Sequence, residues 1–154
     1  MTFAVIRVRG QPDVNRDIKY TMDILGLTRV NHCVVIPDNG VMKGMLQKIK
    51  DYVTYGEINE QTLADMIRVR GKLVGDVEIS DEYLAKNSDF KNADEMAKAI
   101  IEDNYRMKDV EGAKMVFRLH PPIKGYEGNK RSYKNGGALG YRGEAINDLI
   151  ARML

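Results

Sequence analysis

Residues 118–142 combine the side chains that most often contact nucleic acid. Lysine and arginine supply cations for phosphates, tyrosines can stack on unpaired bases, and glycines let the backbone approach closely. Six Lys or Arg residues and one acidic residue lie in this range, a balance of +5. Within it, residues 121–143, called the basic loop here, show no helical or strand period, which is unusual in a small domain. The pattern predicts a segment that folds against RNA.

The predicted contacts are cations and rings in or next to the basic loop. The candidate cations are Lys124, Lys130, Arg131, Lys134 and Arg142. The candidate rings are Tyr126, Tyr133 and Tyr141. A loop of this composition has no regular ladder to satisfy its backbone, so we expect a partner to order it and the free protein to leave it mobile. The alternative is a surface loop that binds nothing.

Side chains for catalysis or metal binding are sparse. Cys33 is the only cysteine, which excludes an internal disulfide and a Cys-cluster zinc site. The neighbouring His32 would point to the opposite face of a strand, so it cannot serve Cys33 as a base. The sequence therefore predicts no enzyme, no metal, no cofactor and no small-molecule substrate.

One enzymatic alternative comes from the end of the first predicted strand. The sequence Arg-Val-Arg-Gly at residues 7–10 is similar to the strand end that precedes the phosphate-binding turn of acylphosphatases. Here Pro12 removes a backbone N–H that such a turn would use, and Asp13 brings a negative charge. A small acyl-phosphate or phosphate-ester hydrolase of ferredoxin-like fold is kept as the alternative function.

Charge is distributed unevenly along a chain whose net charge is only +2. Residues 1–50 contain eight Lys or Arg and four Asp or Glu, a balance of +4. Residues 76–111 contain five Lys or Arg and eleven Asp or Glu, a balance of −6. This asymmetry predicts one surface that faces a polyanion and an acidic surface that faces solvent or a basic neighbour. A protein-binding adaptor that acts through the acidic surface is a further alternative.

Length and composition fit one compact domain or a small domain with an elaboration. The chain has 154 residues, of which 44% are hydrophobic. No apolar run approaches the roughly 20 residues that a membrane span needs. The arginines near the N-terminus follow the apolar stretch, which is the wrong order for a secretory signal. We therefore expect a cytoplasmic protein without membrane contact.

Alternating and helical periods predict a two-layer α+β sandwich over residues 1–58. The predicted order is strand 3–9, helix 13–25, strand 32–36, helix 40–52 and strand 53–58. Two amphipathic helices over a three-stranded sheet can enclose one core, so this part is predicted to be a minimal independent unit. The first strand carries Arg7 and Arg9 on one face, where they could extend a cationic surface onto the sheet.

Residues 59–154 are predicted to form an extension that packs on this core. Helices are expected between residues 59 and 111, with a cap at Asn59 or Thr62 and a capping box at Asn92 and Glu95. A fourth strand is expected at 114–120, followed by the basic loop at 121–143 and a C-terminal helix at 144–154.

Three blocks of this sequence resemble the archaeal members of the universal large-ribosomal-subunit protein thirty family, the counterpart of eukaryotic large-subunit protein seven. The first is VIRVRG at 5–10 with DILGL at 23–27. The second is NHCVVIPD at 31–38 with GMLQKIKDYV at 44–53. The third and most specific is FRLHPP at 117–122 with GGALGYRG at 136–143. The resemblance spans nearly the whole chain.

The resemblance implies a truncated ferredoxin-like core and a structural role in the large ribosomal subunit in the cytoplasm. It implies contacts with large-subunit ribosomal RNA and with neighbouring ribosomal proteins, and it implies no catalytic residues. Carried onto this chain, RNA contacts in the core would come from Arg7, Arg9, Arg16 and Lys43. Those in the extension would come from Arg118, from His120 and from the cations of the basic loop named above.

Overall fold

Five strands form one sheet in the computed structural model, which describes residues 1–154, and six α-helices cover the sheet. The strands are β1 (Thr2–Arg7), β2 (His32–Pro37), β3 (Val53–Glu57), β4 (Val116–Arg118) and β5 (Gly140–Tyr141). The helices are α1 (Arg16–Ile24), α2 (Gly40–Ile49), α3 (Glu60–Arg70), α4 (Asp81–Asn87), α5 (Ala93–Ile101) and α6 (Ile146–Ala151). Short 3₁₀ turns occur at Met107–Asp109, Tyr133–Asn135 and Gly143–Ala145.

The first strand lies at the centre of the sheet, whose order is β4-β2-β1-β3-β5. β1 is antiparallel to both β2 and β3, β4 is antiparallel to β2, and β5 is parallel to β3. Every residue of β1 is buried, which explains its nearly continuous apolar sequence. The two outermost strands both come from the extension, so the extension completes the sheet at each edge.

Helices cover both faces of the sheet. Phe3 and Val5 pack in one buried cluster with residues of α1 and α2. Ala4 and Ile6 face the other way, into a cluster of 23 buried residues that includes side chains of α3, α5 and α6. The predicted α+β class and the strand-helix-strand-helix-strand core are confirmed, and the extension adds a third layer. The boundary at residue 58 stays a prediction.

Asparagines cap the first three helices. The side chain of Asn15, Asn39 or Asn59 accepts a backbone N–H in the first turn of α1, α2 or α3 respectively. The predicted start of α1 at Asp13 is wrong, because Asp13 has a left-handed backbone with φ of 55°. The predicted capping box of α5 is also wrong: the carboxylate of Glu95 accepts the N–H of Lys91.

The basic loop makes more backbone hydrogen bonds than its composition predicts, and its mobility in the free protein stays a prediction. The N–H of Tyr133 donates to the carbonyl of Leu139 at 2.8 Å, and the N–H of Arg142 donates to the carbonyl of Tyr55 at 2.9 Å. Ala138 and Leu139 are buried against Val8. The prediction that residues 121–143 lack regular structure is therefore wrong for the C-terminal part. The open edge of β3 supplies the backbone partners that the loop cannot supply itself.

Candidate nucleic-acid interface

A groove runs between α2 and the edge of the sheet formed by β3 and β5. It consists of two adjoining clefts of about 680 Å³ and 420 Å³, which share Gln47, Tyr55 and Tyr141. We call it the α2–β5 groove. Its cationic residues are Arg9, Lys43, Lys50, Lys130 and Lys134. They come from the segment after β1, from α2 and its C-terminal end, and from the basic loop, so the groove exists only when the extension is docked on the core.

One wall of the α2–β5 groove is a single face of α2. Lys43, Gln47 and Lys50 follow one another at spacings of four and three residues, which places them on one side of the helix. All three are exposed, whereas Leu46 and Ile49 on the other side are completely buried. The apolar stripe of α2 therefore fixes the direction in which its cationic side faces.

The opposite wall belongs to the basic loop. Lys130 and Lys134 are exposed on either side of Ser132, which forms a bridge with Leu139. The turn needs a glycine at position 137, because a Cβ there would overlap the backbone of Arg131. Gly137 is thus required by the fold of the loop. The turn that it allows places Lys130 and Lys134 opposite α2.

Aromatic rings form the floor between these walls. The ring centroids of Phe3 and Tyr55 are 6.0 Å apart, and those of Tyr55 and Tyr141 are 5.7 Å apart. We call this row the aromatic ladder; it runs across β1, β3 and β5. The Tyr141 hydroxyl donates to Glu57 Oε1 at 2.6 Å. That bond raises the pKa of Tyr141, so its ring stays neutral at physiological pH.

Arg9 closes one end of the α2–β5 groove. Its guanidinium carbon lies 4.9 Å from the centroid of the Tyr52 ring, and Nη1 donates to the carbonyl of Asp51 at 3.3 Å. The side chain is only partly buried, so these contacts orient the cation and leave it accessible to a ligand.

Arg7 serves the fold, and its position does not support the RNA contact expected of it, which stays a prediction. Its side chain is completely buried. Nε donates to the carbonyl of Arg9 at 2.9 Å, and Nη1 donates to the carbonyl of Leu27 at 2.6 Å. Burial lowers the pKa of Arg7, an effect that Asp23 opposes. The guanidinium therefore joins the end of β1 to the segment that follows α1.

Arg142 also serves the fold, and its RNA contact likewise stays a prediction that its position does not support. It is almost completely buried. Nε donates to Thr54 Oγ1 at 2.7 Å, and Nη2 donates to the carbonyl of Ala138 at 3.0 Å. The guanidinium carbon lies 4.8 Å from the centroid of the Tyr133 ring. Arg142 thus fastens the basic loop to β3, and it occupies one face of Tyr133.

Tyr126 is partly buried and packs against the core. Its hydroxyl donates to Asn31 Oδ1 at 2.7 Å, and burial raises its pKa. Tyr126 therefore holds the basic loop to the segment before β2, and its stacking on a base stays a prediction.

The remaining candidates lie outside the α2–β5 groove. Arg118 is on β4, at the other edge of the sheet, where Nη1 lies 3.3 Å from Asp76 Oδ1. His120 is partly buried and its ring contacts the carbonyl of Pro121. The other four candidates are also on the surface: Arg16, Lys124, Arg131 and Tyr133 are exposed. Their RNA contacts stay predictions.

The structure adds groove residues that the sequence reasoning did not select. Gln47, Lys50, Tyr52 and Tyr55 line the α2–β5 groove together with Arg9. The spacing of Gln47 and Lys50 from Lys43 along the helix was a signal that could have identified both residues. Nothing local marks Tyr52 and Tyr55, because their place depends on how β3 pairs with β5.

Carboxylates moderate the positive charge of the groove. Lys43 Nζ lies 2.6 Å from Asp38 Oδ1, so this lysine already has an anionic partner. Glu57 is engaged by Tyr141. The unpaired cations are thus concentrated towards Lys50, Lys130 and Lys134, and a polyanion would be attracted most strongly to that end of the groove.

Elsewhere the molecule offers little for catalysis. The structure has no group of three or more His, Cys, Asp or Glu residues that could hold a metal ion. Burial raises the pKa of Cys33 to about 12, which keeps the thiol protonated and unreactive. Another cleft, of about 240 Å³ and lined mainly by apolar side chains, lies beside β2. No helix has the length and apolar character that a bilayer crossing requires.

Comparison with known proteins places the chain in a family. The model of the family described as Ribosomal protein L30p/L7e matches residues 3–53. The chain is 53% identical over 152 residues to the large ribosomal subunit protein uL30 of Methanobrevibacter smithii, with 99% of each chain covered. The chain belongs to the L30p/L7e family of ribosomal proteins.

Other archaeal members of the family are similarly close. The uL30 protein of Archaeoglobus fulgidus is 49% identical over 151 residues, which cover 98% of this chain and 99% of the relative. That of Methanosphaera stadtmanae is 45% identical over 152 residues, with 99% of each chain covered. The resemblance seen in the sequence is confirmed, as is the prediction of a structural protein that is not an enzyme.

Proposed function

We propose that this chain is a structural constituent of the large ribosomal subunit that binds large-subunit ribosomal RNA through the α2–β5 groove. Its relatives are named as large-subunit ribosomal proteins, which supports the ribosomal role and a cytoplasmic location. The observation that carries the RNA-binding proposal is the pair of cationic walls around an aromatic floor. Cations bind phosphates without regard to sequence, and rings add contacts to bases.

Binding by such a groove should depend steeply on salt. Each phosphate that is neutralised releases counterions, so the logarithm of the binding constant falls linearly with the logarithm of the salt concentration. Arg16, Arg118, Lys124 and Arg131 lie on other surfaces and would add weaker or peripheral contacts. The acidic segment 76–111 leaves most of its carboxylates exposed, which supports a second proposal that it faces a basic neighbouring ribosomal protein.

The test compares two triple variants in RNA binding. Lys50, Lys130 and Lys134 are replaced by alanine in one variant, and the exposed lysines Lys86, Lys91 and Lys98 of the acidic segment are replaced in the control. Both remove the same charge. Affinity for fragments of large-subunit ribosomal RNA is measured over a series of KCl concentrations. We expect the groove variant to bind about tenfold more weakly or worse and to lose about two to three units of salt slope.

The control variant should retain both affinity and slope, and both variants should unfold at the wild-type temperature. Equal losses in the two variants would mean that net charge, rather than the α2–β5 groove, binds the RNA. Sedimentation of tagged protein with large subunits, sensitive to ribonuclease, checks the ribosomal assignment. Association with basic proteins that survives ribonuclease would instead favour the adaptor alternative.

A further inference from the structure

The aromatic ladder becomes more exposed from one end to the other. Phe3 is 5% exposed, Tyr55 is half-buried and Tyr141 is 46% exposed. Phe3 and Tyr55 meet edge to face, whereas Tyr55 and Tyr141 are tilted by 53°. Each inner ring has an aromatic neighbour within the protein, and the outer side of Tyr141 has none. The row therefore ends in an aromatic surface that faces the α2–β5 groove.

Tyr141 is held in place before any ligand arrives. Its hydroxyl is bonded to Glu57, and its backbone pairs with β3 opposite Tyr55. Gly140 and Gly143, on either side of the Tyr141–Arg142 pair, both have positive φ, which turns the chain sharply around this short strand. A ring fixed in this way loses little conformational entropy on binding, so the protein presents a preformed stacking surface.

The charges around Tyr141 indicate how a nucleotide would lie. Lys50 and Lys134 line the same cleft as Tyr141 and can take the phosphates. The Glu57 carboxylate beside the ring repels a phosphate there but can accept a hydrogen bond from a base amino group or a 2′-hydroxyl. An RNA strand whose phosphates bind these lysines would thus direct a base, and not its backbone, towards Tyr141.

From this arrangement we infer that the α2–β5 groove takes an unpaired RNA base, stacked on Tyr141 as the next ring of the aromatic ladder. In a regular duplex the faces of the bases are covered by their neighbours, and only an unpaired base can offer its face to an aromatic side chain. The groove therefore selects loops, bulges or single strands over continuous duplex. This inference rests on the proposed function and assigns the kind of RNA that the site receives.

The test uses the full chain and two synthetic RNAs with the same stem sequence. One is a hairpin whose oligoadenylate loop contains the fluorescent base 2-aminopurine, and the other is a continuous duplex. We expect the wild-type protein to bind the hairpin at least fivefold more tightly than the duplex and to quench the fluorescence on stacking. Tyr141→Ala should lose about five- to tenfold in hairpin affinity, together with the quenching, and little in duplex affinity.

Three further variants control the result. Tyr141→Phe keeps the ring but loses the bond to Glu57, so it should still quench the fluorescence and bind the hairpin more tightly than Tyr141→Ala. Tyr141→Leu keeps bulk against Tyr55 and should behave like Tyr141→Ala. Tyr20→Ala removes an exposed tyrosine of α1 outside the groove and should change nothing. The leucine variant provides the same comparison if the alanine variant folds poorly.

The outcomes separate this inference from the proposed function. If Tyr141→Ala and Tyr141→Leu retain hairpin preference and quenching while the triple variant of Lys50, Lys130 and Lys134 loses binding, the stacked base is overturned and the RNA-binding groove stands. If the triple variant also binds like the wild type, both are overturned. Equal wild-type affinity for hairpin and duplex likewise overturns the selection for unpaired bases.

Discussion

Arg7 and Arg9 lie two residues apart and have different environments. Arg7 is enclosed by the end of β1 and the chain after α1, where its N–H groups satisfy the carbonyls of Arg9 and Leu27. Arg9 is partly exposed and lies against Tyr52 at the end of the α2–β5 groove. A buried guanidinium is stabilised only by such bonds, because it has lost its contact with water. Stability and RNA binding should therefore depend on different arginines.

Replacing Arg7 and Arg9 separately should affect stability in one variant and RNA binding in the other. We expect Arg7→Ala to lower the free energy of unfolding by about 2–4 kcal/mol, because it leaves a cavity and removes the donor to the buried carbonyl of Leu27 and to the partly buried carbonyl of Arg9. Arg9→Ala should change stability by less than about 0.5 kcal/mol and weaken RNA binding. Urea denaturation and RNA titration of both variants provide the measurements. A stable Arg7→Ala protein with reduced RNA affinity would instead support an RNA contact of Arg7.

At the scale of elements, two glycines of the core show opposite constraints. Gly56 lies in β3 directly under the turn at Gly143, and a Cβ on Gly56 would overlap the carbonyl oxygen of Gly143. Gly44 lies in the middle of α2, and a Cβ there would meet no atom within 4 Å. The same substitution thus blocks the docking of α6 and β5 at one position and only stiffens a helix at the other.

We expect Gly56→Ala to destabilise the protein by more than about 2 kcal/mol and Gly44→Ala to stabilise it by about 0.5–1 kcal/mol. The first effect arises because the turn before α6 must move away from β3. The second arises because alanine restricts the unfolded chain and favours helix. Thermal unfolding of the two variants tests both. Wild-type stability in Gly56→Ala would show that the turn at Gly143 is not held closely against β3.

Local periodicity predicted the elements of the core well, because their apolar residues recur at strand and helix spacings. Asn59, one of the two positions predicted to cap α3, is the cap for the same reason: capping depends on side chains within a few residues. The α2–β5 groove was not predictable in this way. It depends on the parallel pairing of β5 with β3, which joins residues more than eighty positions apart, and a two-residue strand carries no period.

At the scale of the whole molecule, the sheet depends on the extension. The face of β1 that carries Ala4 and Ile6 is covered by side chains of α3, α5 and α6, and Cys33 of β2 belongs to the same cluster. Without residues 59–154 this face would be exposed, and the edges of β2 and β3 would lose their partners β4 and β5. Exposed apolar faces and open strand edges favour self-association.

A fragment of residues 1–58 should therefore be less stable than the whole chain and prone to associate. We expect light scattering to show oligomers at micromolar concentration, because the face of Ala4 and Ile6 becomes accessible. Far-ultraviolet circular dichroism would report whether the predicted strand-helix-strand-helix-strand order persists. A monomeric fragment with a cooperative unfolding transition would confirm the predicted independent unit and contradict this expectation.

The central strand β1 is synthesised before the outermost strands β4 and β5, so the sheet can be completed only late in synthesis. A chain emerging from its N-terminus releases the middle strand first and the two flanking edges last. A chain interrupted before residue 140 would lack β5 and Tyr141 and therefore the finished groove. On the proposed function, such truncated chains should bind RNA more weakly than the whole chain, because the strand that completes the α2–β5 groove is made last.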